Sequence, residues 1–164
     1  MTQYIYIASP MRLPVGSFGE RPVSPEQPNV FRDELDFTHL YFENNYDSDS
    51  KQRYTYSSHF SYKHQVAADA NQIPLSSDMK GTAEEKKCLG ILYSYLEEAI
   101  QHSGMIEYFT SWNSEEDLAL SKKRHVQWID IKDPYDLVLD DREFLRITLW
   151  DINAYGITDS QEKN

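Results

Sequence analysis

Residues 82 to 104 carry the one sustained helical periodicity in the chain, and the remaining elements have to be arranged around it. Thr82 stands three residues before Glu85, and Cys88, Leu89, Leu92, Leu96, Ala99 and Ile100 recur at the spacing that lines one face of an α-helix. Thr82 can accept from the amide near Glu85 while Glu85 reaches back, and Gly104 is free to take the positive φ at which a helix stops. The spacing predicts a helix from about Ala83 to Ser103. A helix with one apolar face needs a second layer to cover it, and the other apolar runs have the period of strands.

Tyr4-Ile5-Tyr6-Ile7, closed by Pro10, reads as a first strand, and Phe37 to Phe42 as a second. Tyr54, Tyr56, Ser58, Phe60, Tyr62, His64 and Val66 alternate with Thr55, Ser57, His59, Ser61, Lys63 and Gln65. A period of two sets aromatics on one face and small polar groups on the other, so Phe37 to Glu43 and Tyr54 to Val66 are expected to form a long antiparallel hairpin, with Asn44 to Gln52 as its turn. Beyond the helix, Met105 to Trp112 reads as a strand. Ser114 followed by Glu115, Glu116 and Asp117, with Lys122, Lys123 and Arg124 at the close, has the charge order of a short helix. His125 to Ile131, Leu137 to Leu139 and Phe144 to Trp150 read as strands. The expected fold class is α+β: an antiparallel sheet with a long β-hairpin, one long amphipathic helix packed on one face and one short helix, in the order βββα, short α, βββ.

At 164 residues the chain is sized for one core, expected over 1–150, followed by a polar tail over 151–164 whose Ile152, Tyr155 and Ile157 can dock its first part. Inside the domain, Pro10, Pro14, Pro22, Pro25 and Pro28 with Gly16 and Gly19 exclude regular structure from residues 9–29. Met11, Leu13, Val15 and Phe18 would pin this proline-rich loop to the domain.

Sixteen Lys and Arg against 27 Asp and Glu give a formal charge of −11, which sets the surface against nucleic acid and anionic membranes and favours a basic protein partner. The apolar run at Tyr4 follows no basic residue, and no stretch is long enough to cross a bilayer. Cys88, the single cysteine, allows neither an intrachain disulfide nor a thiolate metal cage. A reducing, cytoplasmic setting is expected.

Motifs that carry chemistry are few. His39, His59, His64, His102 and His125 fall on different elements and form no ligand or triad spacing. Cys88 sits on the apolar stripe and reads as a small core residue. Ser77-Asp78-Met79-Lys80 matches S-x-x-K but precedes the helix that the motif needs, and Gly16-Ser17-Phe18-Gly19 lacks the ending of a phosphate loop. Asp130, Asp133, Asp136, Asp140, Asp141 and Glu143 lack the glycine of a calcium loop and are broken by Pro134, so they read as turn and edge acids. No catalytic residue, metal ligand or cofactor is assigned.

What remains distinctive is aromatic content, with 12 Tyr, 7 Phe and 3 Trp. Tyrosine joins an apolar body to a polar tip and suits protein interfaces. Tyr41, Tyr54, Thr55, Tyr56, Ser57, His59 and Tyr62 are therefore the expected interaction surface. The expected function is a non-enzymatic module that binds a protein partner, a basic one or a second copy of the chain, through acidic and aromatic surface. Size, acidity and the lack of a catalytic set are shared with small bacterial immunity, antitoxin and inhibitor proteins, a likeness of composition that carries no residue across. The rival reading is a small hydrolase or transferase that assembles His39, His59 or His64 with carboxylates of the C-terminal strands, and a third is a homodimeric scaffold.

Overall fold

The helix expected over residues 83–103 has those bounds in a computed structural model that describes residues 2–74 and 81–150. In chain order the elements are β1 (Gln3–Ser9), β2 (Gly16–Phe18), α1 (Glu34–Phe37), β3 (Leu40–Asn44), β4 (Tyr46–Asp47), β5 (Gln52–Arg53), β6 (His64–Asp69), α2 (Ala83–Ser103), β7 (Met105–Trp112), β8 (Lys122–Gln127) and β9 (Glu143–Thr148). The fold is α+β, with a mostly antiparallel sheet and one long helix.

Thr82 caps α2 by accepting the Glu85 N–H at 3.2 Å. Gly104 ends it with φ +78°, its N–H donating to the Ile100 carbonyl at 2.8 Å. A side chain there would be strained by the left-handed backbone and would collide with Trp150.

Seven strands form one sheet in the order β2-β3-β6-β1-β7-β9-β8. Each neighbouring pair is antiparallel except β8 and β9. Strand alternation divides the side chains between two faces. Ile5, Ile7, Leu40, Phe42, Val66, Ala68, Ile106, Tyr108, Leu145 and Ile147 meet Cys88, Leu89, Leu92, Leu96 and Ile100 of α2 in the main core. Each large aliphatic side chain buried there contributes about 1.5–3 kcal/mol. Tyr6, Ala67, Phe109 and Phe144 lie on the opposite face, where Tyr56, Phe60 and Leu120 from two connections pack over them.

The long hairpin is corrected by the structure. Strands β3 and β6 do pair, with Glu43 opposite Ala67 and Asn44 opposite Val66, but residues 54–63 form no strand. Three of their amides are met by side chains outside the segment: Gln65 Oε1 accepts the Tyr56 N–H at 2.7 Å, Asp117 the Ser58 N–H at 2.7 Å and Glu107 the Ser61 N–H at 2.8 Å. A segment whose amides are satisfied this way has no need of a ladder, and its aromatic residues pack on the second face of the sheet.

Three other expectations change. No helix forms over 114–124: Ser114 takes φ +72°, turns follow, and Lys122–Arg124 open β8. The short helix is α1, started by Asp33 accepting the Asp36 N–H at 2.8 Å, so the strand expected from Phe37 begins at Leu40. Residues 128–130 and 134–137 are 3₁₀ turns within the crossover that makes β8 and β9 parallel, and they place Trp128 and Leu137 in the main core.

The proline-rich loop also contains regular structure. Between Pro14 and Pro22, Gly16–Phe18 pairs with Leu40–Phe42 as the sheet's edge strand. Phe18 packs edge-on against Phe42 and Tyr95, and the Tyr95 hydroxyl donates to the Pro14 carbonyl at 2.6 Å. Strand β3 therefore has no open edge. At the other side of the sheet, Lys122 and Lys123 on β8 supply charges that discourage edge pairing. The Ser77–Lys80 match and the docking residues Ile152, Tyr155 and Ile157 lie outside the described residues.

Candidate functional site

Because Ile5 and Ile7 of β1 face α2, Tyr4 and Tyr6 must face away from it. The same alternation turns Tyr41 and Glu43 of β3, and Ala67 and Asp69 of β6, to that side. Loop 54–63 and the 113–121 connection fold over part of this face, and Tyr56 of the loop packs against Tyr6. The result is a groove of about 350 Å³ lined by Tyr4, Tyr6, Tyr41 and Tyr56, with Ala67 at its base and Glu43, Asp69, Asn113 and Glu116 around it.

The rings form a connected series. Tyr4 and Tyr6 are 6.1 Å apart between centroids, Tyr6 and Tyr56 are 5.6 Å apart, and Tyr54 stands edge-on to Tyr56 at 5.2 Å. The Tyr56 hydroxyl donates to the Asn44 carbonyl at 2.7 Å, which locks that ring as a wall of the groove. Burial, and then the charge of Glu116, push the Tyr6 hydroxyl up to about 12, so it stays protonated at neutral pH.

Glu116 is the unusual member of the group. Its Oε2 is buried, and among the described residues no donor reaches it. A carboxylate oxygen in that condition is costly unless a cation or donor arrives from outside. No basic residue lines the groove, and neither Glu43, Asp69 nor Glu116 belongs to an ion pair among the described residues.

Of the residues expected at an interaction surface, Tyr41 and Tyr56 line the groove, and Tyr54 stands against Tyr56. Tyr41 is 57% exposed. Thr55 is exposed and donates to the Ser57 carbonyl at 2.9 Å. Ser57, His59 and Tyr62 work inside the fold: Ser57 is buried and donates to the Glu116 carbonyl at 2.6 Å, His59 Nε2 donates to the Leu118 carbonyl at 2.7 Å, and the Tyr62 hydroxyl meets Met105 Sδ at 3.0 Å. Tyr4, Tyr6, Glu43, Asp69 and Glu116 were missed as site residues. The alternation of Tyr4 and Tyr6 against Ile5 and Ile7 was the available signal for the first two. Glu116 carried none, since it reads as a helix-start acid.

The histidines do not converge. His39 Nδ1 lies 2.9 Å from the Phe37 carbonyl and 3.5 Å from Glu20, His59 is tied to Leu118, and His125 Nε2 meets Thr148 Oγ1 at 3.1 Å. Among the C-terminal carboxylates, Asp133 and Asp136 cap the 134–137 turn, while Glu143 pairs with Arg124 at 2.9 Å. Among the described residues no group of three His, Cys, Asp or Glu side chains is placed to hold a metal ion. Cys88 is buried, and burial pushes its thiol up to about 11. No helix among the described residues is long and apolar enough to cross a membrane.

Comparison of the chain with protein-family models, with curated proteins and with solved structures returned no match.

Proposed function

We propose that this chain is a cytoplasmic protein-binding module that seats an arginine or lysine side chain of a basic partner in the tyrosine groove. The observation that carries the reading is the buried, donor-less Oε2 of Glu116 at a groove walled by four tyrosines. A turn of the half-buried Glu116 side chain would bring that oxygen to a guanidinium in the groove, which would also lie against ring faces and meet Glu43 and Asp69 at the rim. Cation–ring contact contributes about 0.5–2 kcal/mol, and a charged hydrogen bond to a desolvated carboxylate adds to it. The net charge of −11 favours the same class of partner at long range.

Binding is preferred over catalysis because His39, His59 and Ser57 are committed to contacts within the fold. Pairing through the hairpin edge is disfavoured, since β2 already occupies it.

The test is titration of the protein with a flexible glycine-arginine repeat peptide, its ends blocked, followed by calorimetry at two salt concentrations. Saturable binding that weakens roughly tenfold in Glu116→Gln, with a shallower salt dependence, is the expected result. Affinity unchanged by Glu116→Gln, or sedimentation showing a dimer that blocks the groove, would overturn the reading.

A further inference from the structure

On the α2 side of β3 and β6, beyond the end of the main core, a second cleft of about 480 Å³ is lined by Arg12, Arg53 and His64, with Leu13, Val15 and Tyr46 beside them. It contains no carboxylate, although the chain has 27 acids against 16 Lys and Arg. Among the described residues four ion pairs form, and none of them uses Arg12 or Arg53.

One of the cations is also held. Asn45 is fully buried, and its Oδ1 accepts from Arg53 Nη1 at 3.2 Å and from the Gln65 N–H at 3.1 Å, fixing the guanidinium at the cleft. His64 senses the crowding, because burial and then the charges of Arg53, Lys63 and Arg12 lower its pKa below the ordinary value. Positive groups gathered on one concavity repel one another, and that cost is recovered when an anion binds.

We propose that this cleft binds a small organic phosphate monoester, its phosphoryl group taken by Arg12, Arg53 and His64 and its organic part lying on Leu13, Val15 and Tyr46. Two forked guanidinium groups match the oxygens of a phosphoryl dianion and carry more positive charge than one carboxylate neutralises, and the imidazole adds a hydrogen bond. The volume lies within the range of about 300–1,000 Å³ found for small-molecule sites. This site is independent of the tyrosine groove, which takes the opposite charge from the other face of the sheet.

The experiment titrates the full chain with phenyl phosphate near neutral pH by calorimetry, following the His64 ring signals by NMR, with benzoate and inorganic phosphate as parallel arms. Phenyl phosphate should bind more tightly than either and move the His64 signals. Arg12→Gln should weaken it roughly tenfold without changing the thermal midpoint, because Arg12 makes no contact that the fold needs. Arg53→Lys, which keeps the charge and loses the fork, should weaken it less than Arg53→Gln. Lys86→Gln, on the exposed side of α2, should leave it unchanged. Absence of heat and of shifts at about 10 mM phenyl phosphate, a hundredfold weaker than a typical working affinity, would overturn the proposal. So would benzoate binding as tightly as phenyl phosphate, or an Arg12→Gln affinity equal to that of the unaltered chain.

Discussion

Asn45 and Gln65 close on each other: the Asn45 N–H donates to the Gln65 carbonyl at 3.2 Å, and the Gln65 N–H returns to Asn45 Oδ1 at 3.1 Å. Asn45 Nδ2 also donates to the carbonyls of Tyr54 and Lys63, and its Oδ1 accepts from Arg53, so its amide is fully used. Gln65 in turn donates from Nε2 to the Tyr62 carbonyl at 2.8 Å. Two buried amides thus hold both ends of loop 54–63. Asn45→Ala should cost about 2–4 kcal/mol, given roughly 1–3 for each buried group left unpaired. Asn45→Asp should cost as much, because the isosteric carboxylate has no donor for Tyr54 and Lys63. Urea denaturation of the two variants checks this, and a midpoint for Asn45→Asp near that of the unaltered chain would refute the account.

The same contacts explain what the sequence could reveal. Helix α2 was legible to its terminal residues because its cap, apolar stripe and glycine stop all lie within a short span. Loop 54–63 was not, since Ser57, Ser58 and Ser61 bond Glu116, Asp117 and Glu107, 59 and 46 residues away. Its alternating pattern is a local signal overridden by distant partners. The tyrosine half of the groove could be read from β1, while Glu116 becomes a site residue only when the 113–121 connection folds beside β1. The cationic cleft was hidden for the same reason, because Arg12 comes from the loop after β1 and Arg53 from β5.

Leu92 is wholly buried where α2 meets the sheet. Leu92→Ala should cost about 2–5 kcal/mol, the spread reflecting how far the cavity collapses. The denaturation midpoint should fall while the slope with denaturant stays constant. An unaltered midpoint would remove α2 from the energetic centre of the fold.

Burial raises the hydroxyl pKa of Tyr6, Tyr56, Tyr95 and Tyr108 above the ordinary 10.0, and that of the Cys88 thiol from 9.0 to about 11. Each group is neutral when protonated, and its folded pKa lies above its unfolded one. The stability it contributes is therefore complete below the unfolded pKa and is lost as pH rises through the folded value. Stability should hold up to about pH 8.5 and then fall steadily toward about pH 12. Tyrosinate absorbance should rise in two phases, exposed rings first and the buried four together with loss of the circular dichroism signal. Tyr108, whose hydroxyl donates to the Leu137 carbonyl at 2.7 Å, should be among the last. Below pH 8 a thiol reagent should label native Cys88 far more slowly than the unfolded chain. A single smooth titration with the fold intact, or rapid labelling, would contradict this burial.

Tyr41 and Ser57 separate recognition from folding. Tyr41 stands at the groove with 57% of its surface exposed, and Tyr41→Ala should change stability by no more than about 0.5 kcal/mol. Ser57 is buried between the two connections that bear Tyr56 and Glu116, so Ser57→Ala should cost about 1–3 kcal/mol through the unpaired Glu116 carbonyl. Both changes should weaken the arginine peptide, for different reasons. Losing Tyr41 removes a ring face and leaves the salt dependence of binding as it was, because no charge has gone. Losing Ser57 frees the walls to move, so affinity should fall along with the thermal midpoint. Peptide calorimetry at two salt concentrations, read beside thermal denaturation, distinguishes the two. If Tyr41→Ala binds the peptide like the unaltered chain while Glu116→Gln does not, the cation rests on the carboxylate alone and the tyrosines are packing.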